Sequence, residues 1–206
     1  PCIYEGEGEM LGMAFFKSLV KQHGTAYFEP IGKVLAKLGV KQPNPLNPTH
    51  AWALKGPLLE YGKWFLGQKF GSRPAPKLPN MSRELREHAE WAADKLQDSP
   101  MEISGTMRKH QLKLADRQCR MSELSGRIQS LIIVLCTSLY AAKQDDEMIR
   151  EAANVICTDL RREYNNRRVK DREFRLATKL GEKIAEGGWK NFTDVDPAEI
   201  MMKYES

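Results

Sequence analysis

The chain has 206 residues, of which 41% are hydrophobic and 29% charged, and carries a formal net charge of +5. Those figures give one sizeable helical domain or two small ones and exclude a disordered chain. The charge is modest, as compatible with an anionic ligand or membrane surface as with simple solubility.

The longest strongly apolar run, Leu131 to Cys136, is far short of the ~20 residues of a membrane span, so it reads as a buried helix segment. No charged stretch followed by an apolar one marks a signal peptide. Residue 1 is proline, which predicts a processed chain or a fragment of a longer one. Cys2, Cys119, Cys136 and Cys157 form no C-x-x-C pair, and His23, His50, His88 and His110 are dispersed. We therefore expect no disulfide framework, no metal site, and reduced, mostly buried thiols in an intracellular compartment.

In chain order, Cys2-Ile3-Tyr4-Glu5-Gly6-Glu7-Gly8-Glu9-Met10-Leu11 sets a carboxylate between an aromatic residue and a glycine, ahead of an apolar segment. Glycine frees the backbone for a tight turn, and the positive end of a following helix would lie close by. Met10, Leu11, Met13, Phe15, Phe16, Leu19 and Val20 predict a helix from about Glu9 to Gln22, apolar on most sides and ending near His23-Gly24. A short segment, Ile31 to Leu38, closes at Gly39. The prolines of Gln42 to Pro48 break regular structure. A helix from His50 to about Leu66 follows, interrupted at Gly56-Pro57, and Gly71 to Pro79 forms a second breaker.

Beyond Pro79 the pattern is one of long helices. Asn80 or Ser82 caps the first, which presents Leu85, Ala89, Ala92, Ala93 and Leu96. Ser99-Pro100-Met101-Glu102 reads as a new start, with a capping serine, proline at the first position and an acid behind it. That helix is expected to run to about Ala142, with Gly105 and Gly126 as kink points. Asp145, Asp146 and Glu147 open a helix striped by Met148, Ile149, Ala152, Val155, Ile156, Leu160 and Tyr164. Another spans Lys170 to Ala185 and stops at Gly187-Gly188, and Asp196-Pro197 begins a last turn. No segment alternates with period two, so the predicted class is all-α, ending in an antiparallel bundle.

The opening, with Tyr4-Glu5-Gly6 ahead of an apolar segment, resembles the Tyr/Phe-Glu-Gly-x-x-x-Ile/Leu turn of the flavin-dependent acyl-CoA dehydrogenases. Met107-Arg108-Lys109-His110-Gln111, the apolar run from Leu124 to Ala142 and the helix from Glu147 resemble, in pattern and order, the C-terminal helical domain of the very-long-chain branch. The resemblance implies the C-terminal part of such an enzyme. Residues 1–41 would end its catalytic helical domain, 42–79 would form an insert linked to membrane or subunit contact, and 80–206 would form the extra bundle. It implies Glu5 as the catalytic base that takes the α-proton of a fatty acyl-CoA, with FAD as hydride acceptor and Gly6 and Glu7 beside the flavin. An electron-transfer flavoprotein or other acceptor, a homo-oligomer, and a cytoplasmic or mitochondrial-matrix location complete the expectation. The chain alone is expected neither to hold FAD nor to turn over. The family's usual threonine and asparagine after Glu-Gly are replaced by Glu7 and Gly8. Acyl-CoA oxidases carry an acid at the third position, so oxidase chemistry stays open.

In the insert, Trp52, Trp64 and Phe65 stand among Lys55, Lys63 and Lys69, a mixture suited to a membrane interface or to covering a partner. The alternative for the whole chain is a non-catalytic helical module for dimerisation or membrane docking. The run Arg161, Arg162, Arg167, Arg168, Lys170, Arg172 and Arg175 is interleaved with Asp159, Glu163, Asp171 and Glu173. It therefore reads as a solvated helix face with i,i+4 pairs, and nucleic acid is not an expected partner.

Overall fold

The computed structural model describes residues 8–40, 44 and 46–189. Glu5, Gly6 and Glu7, the turn from Asp196, and Cys2 lie outside them. The described residues are helical, with no strand among them. In order they form α1 (Gly8–His23), a π-turn (Gly24–Phe28), α2 (Glu29–Lys37), α3 (Pro48–Phe70) and α4 (Arg83–His110). A 3₁₀ segment (Gln111–Asp116), α5 (Gln118–Ala141), α6 (Glu147–Tyr164), α7 (Asp171–Lys183) and a second π-turn (Ile184–Gly188) complete the order. They fall into two compact units, Pro1–Lys77 with Glu90–Ile133, and Leu78–Ala89 with Val134–Ser206. Both α4 and α5 thus contribute a stretch to each unit.

Several helix ends follow from local chemistry. Pro48 opens α3 behind Asn47, whose side chain accepts from the Thr49 amide at 3.0 Å, so the missing proline N–H costs nothing there. Ser82 caps α4 through the Leu85 amide, and Asp146 caps α6 through the Met148 amide at 2.9 Å. Gly39 and Gly187 take positive φ, at 65° and 84°. They are the residues that leave the helical path after α2 and α7.

Other boundaries differ from expectation. Gly56-Pro57 does not interrupt α3, and Ser99-Pro100 starts no helix: both prolines lie inside continuous helices. Each removes one backbone hydrogen bond, yet residues on both sides pack on the same face and hold the helix together. Around Pro100 these are Leu96 and Ile103, which join one core cluster. Ser99 turns its hydroxyl back to the Lys95 carbonyl at 3.3 Å instead of capping. The helix expected to run through to Ala142 instead breaks at Gln111–Asp116, where the tighter segment carries Leu114 into the core. Gly105 and Gly126 stay within helices.

In the first unit, Phe16 of α1 is fully buried against Ile103, Leu114, Met121, Leu124 and Ile128. Phe15 is 41% exposed, so α1 buries chiefly one face and not most of its circumference. At the contact of α1 with α5, Ser125 donates to the Gly12 carbonyl at 2.7 Å and is itself held by Gln129 at 2.9 Å. A Cβ at Gly12 would displace the Gln129 side-chain amide from its present position against α1. The start of the second breaker is pinned: Arg73 pairs with Asp98 at 2.7 Å and Asp94 at 3.4 Å.

In the second unit, Leu85 packs with Ala141 and Ala153, and α6 buries Ala152, Ala153 and Cys157. Ile156, expected in the buried stripe, is half exposed. The small residues are the ones that allow close packing. By length and composition α5 could cross a bilayer. Its buried Met121, Leu124, Ser125, Leu131, Val134 and Ser138 make it a core helix, with Ile132, Ile133 and Cys136 on the open side.

Candidate functional site

Helix α3 is apolar on all sides, and its two faces have different occupations. Inward, Leu54 is buried and Tyr61, Trp64 and Phe65 are half-buried. The Trp64 ring lies 4.7 Å from His23, 5.0 Å from Tyr27 and 5.6 Å from Tyr61. Tyr61 shares a 2.7 Å hydrogen bond with the fully buried Ser104 of α4, and Arg108 stacks over Phe65 at 5.2 Å. These contacts fasten α3 to the π-turn, the end of α1 and α4. A cavity of about 360 Å³ remains beside them, walled by Leu19, His23, Tyr27, Trp64, Pro100 and Ile103. The buried Nε2 of His23 has no hydrogen-bond partner, and burial lowers the pKa of this ring, favouring the neutral form.

Outward, Trp52, Leu59, Leu66 and Phe70 are 76%, 52%, 55% and 73% exposed. At 100° per residue they share a strip about 40° wide. Lys55 covers the Trp52 ring at 5.0 Å and Lys69 the Phe70 ring at 5.3 Å. Lys63 pairs with Glu60 at 3.0 Å, which is the sole acid on the helix. The result is a long apolar strip with cations at both ends. Of the contact residues expected from sequence, Trp52, Lys63 and Lys69 lie on this open side, while Trp64 and Phe65 turn inward. Leu59, Leu66 and Phe70 take their place, and the seven-residue spacing from Trp52 to Leu59 to Leu66 is the sequence signal that finds them.

The basic run in α6 is not wholly solvated. The side chain of Arg162 is only 18% exposed. Arg161 reaches Nδ1 of His88 at 2.9 Å. Nε2 of His88 lies 2.9 Å from Asn154 Oδ1. Arginine only donates, so Nδ1 accepts, Nε2 carries the proton, and His88 is neutral. Burial first, and then the charge of Arg161, hold its pKa below the usual 6.5 against the opposing pull of Asn154, Glu87 and Glu84. A depressed folded pKa gives stability that is complete above the unfolded value and lost as pH falls through the folded one. Urea unfolding of the second unit should therefore move to lower urea between about pH 7.5 and about pH 5, and His88→Gln should flatten that slope. A midpoint independent of pH over this range would contradict the arrangement.

Cys119 and Cys136 are exposed and Cys157 is buried, so two of the three described thiols depart from the expected burial. Among the described residues no three His, Cys, Asp or Glu side chains converge as a metal site would require. Glu5, Gly6 and Glu7 immediately precede the start of α1 in sequence, outside the described residues. No family model, curated protein or solved structure matches this chain.

Proposed function

We propose that this chain is the C-terminal part of a flavin-dependent acyl-CoA dehydrogenase, with Glu5 as the base that removes the α-proton of a fatty acyl thioester. The observation that carries the reading is the Tyr4-Glu5-Gly6 run ending where a helix opens at Gly8. An α-C–H beside a thioester is a very weak acid, so its base must be held close and kept from water. Desolvation raises a carboxylate's pKa toward the working range. FAD, when bound in the whole enzyme, supplies the hydride acceptor.

The described part of the chain does not fit that cofactor. A cavity of about 600 Å³ beside the 3₁₀ segment is open and lined by Lys109, Asp116, Arg117 and neighbouring polar residues. A flavin ring needs apolar walls as well as donors, so this chain alone should not retain FAD. The protein isolated from its source should carry visible flavin and be roughly three times heavier than this chain. A flavin-free protein of this chain's own mass would remove the reading.

The outer strip of α3 favours a second activity within either context, peripheral docking on a membrane surface. An exposed strip of aromatic and leucine side chains flanked by lysines suits the headgroup boundary, with the strip immersed and the lysines at the anionic surface. Replacing Trp52, Leu59, Leu66 and Phe70 together by serine withdraws about 1 kcal/mol of burial each, or about 10³-fold in partitioning. Flotation with vesicles containing phosphatidylglycerol should carry the wild-type chain and leave the variant behind. Equal flotation would contradict docking through α3.

A further inference from the structure

We propose that the open cavity beside the 3₁₀ segment is a binding site for a small phosphorylated polyol, its phosphate held by Lys109, Arg117 and Arg120. The site lies wholly within the first unit and does not depend on the dehydrogenase reading. Charge singles this place out. Residues 78–206 balance 22 Lys and Arg with 22 Asp and Glu, yet Arg108 to Arg127 hold six cations against two acids. That stretch covers the end of α4, the 3₁₀ segment and the start of α5. Three of its cations are engaged: Arg108 over Phe65, Arg120 with Glu123 and Arg127 with Glu102. Lys109, Lys113 and Arg117 pair with no acid among the described residues. Lys109, in the last turn of α4, offsets the negative end of that helix. Arg117 and Arg120 have no such duty, because they stand at the positive end of α5, where no first-turn acid balances them.

Lys109, Arg117 and Arg120 line one cavity of about 600 Å³. Lys109 and Arg120 also line a second of about 230 Å³, so the two cavities share a cationic wall. The larger one falls within the ~300–1,000 Å³ of small-molecule sites and exceeds what a bare phosphate ion fills. Its remaining walls are His110, Asp116, Gln118 and Cys119, with no aliphatic or aromatic side chain among them. An apolar body gains little from such walls. Hydroxyl groups do gain, since Asp116 and Gln118 offer acceptors for them. A phosphate takes charge-assisted hydrogen bonds from the lysine and the two arginines, and its two charges match the free cations Lys109 and Arg117.

The test titrates the whole ¹⁵N-labelled chain at low salt with ribose 5-phosphate, inorganic phosphate and ribose. Ribose 5-phosphate should move the amide resonances of Lys109, Arg117 and Cys119 and saturate. It should bind about tenfold tighter than inorganic phosphate, the worth of one or two hydroxyl hydrogen bonds, and ribose should leave the resonances in place. Lys109→Gln and Arg117→Gln, both at exposed positions, should each weaken the sugar phosphate about tenfold. Lys143→Gln, at an exposed lysine of the second unit, should not. Resonances at Lys109 and Arg117 unmoved by ribose 5-phosphate would overturn the proposal. So would inorganic phosphate or ribose binding as tightly as the sugar phosphate. Lys109→Gln and Arg117→Gln without effect, or Lys143→Gln weakening binding as much as they do, would overturn it as well.

Discussion

Phe16→Ala is expected to cost the first unit about 3–5 kcal/mol, the range for deleting a fully buried aromatic side chain. Phe16 has no exposure and touches residues from α4, the 3₁₀ segment and α5, so its removal opens a hole that no single neighbour can fill. The carbonyl of Gly12, one turn before it, is bonded by Ser125, which keeps α1 from collapsing into that hole. Phe15→Ala, at a 41% exposed neighbour, should cost under about 1 kcal/mol. Urea unfolding of the two variants gives the comparison directly. Similar losses for both would mean that α1 is not seated as described.

The helices whose limits were legible in the sequence are those with local chemistry at their ends. Ser82, Asp146, Gly39 and the glycine pair after α7 each act within a few residues of where they stand, and the buried positions Leu85, Ala89 and Ala92 of early α4 follow from their spacing. What was not legible depends on distant partners. Pro57 and Pro100 read as breaks because a missing N–H is a local fact. The packing that carries the helix past them, Tyr61 on Ser104 and Leu96 with Ile103, is not. The break at Gln111–Asp116 has no proline or glycine to announce it, and the Leu114 it places in the core meets partners distant in sequence.

The candidate sites divide in the same way. The outer strip of α3 is a spacing and was partly visible, although Trp64 and Phe65 turn inward because His23, Tyr27 and Arg108 gather on that side. The inward turn of Arg161 and Arg162 was not visible. In sequence they are two cations among several on a polar helix. Only the fold brings His88 from α4 to one of them and buries most of the other.

The proposed dehydrogenase reading is tested most directly by acyl-CoA-dependent bleaching of the flavin in the longer flavoprotein that the reading predicts, wild type against Glu5→Gln. Glutamine keeps the shape and hydrogen-bonding reach of the side chain but removes the base, and a positioned base contributes typically about 10²–10⁴-fold. The variant should retain its flavin and bind acyl-CoA, while its rate of bleaching falls by about that factor. A Glu5→Gln enzyme that bleaches at the wild-type rate would contradict the assignment and leave Glu5 an acid at the positive end of a helix.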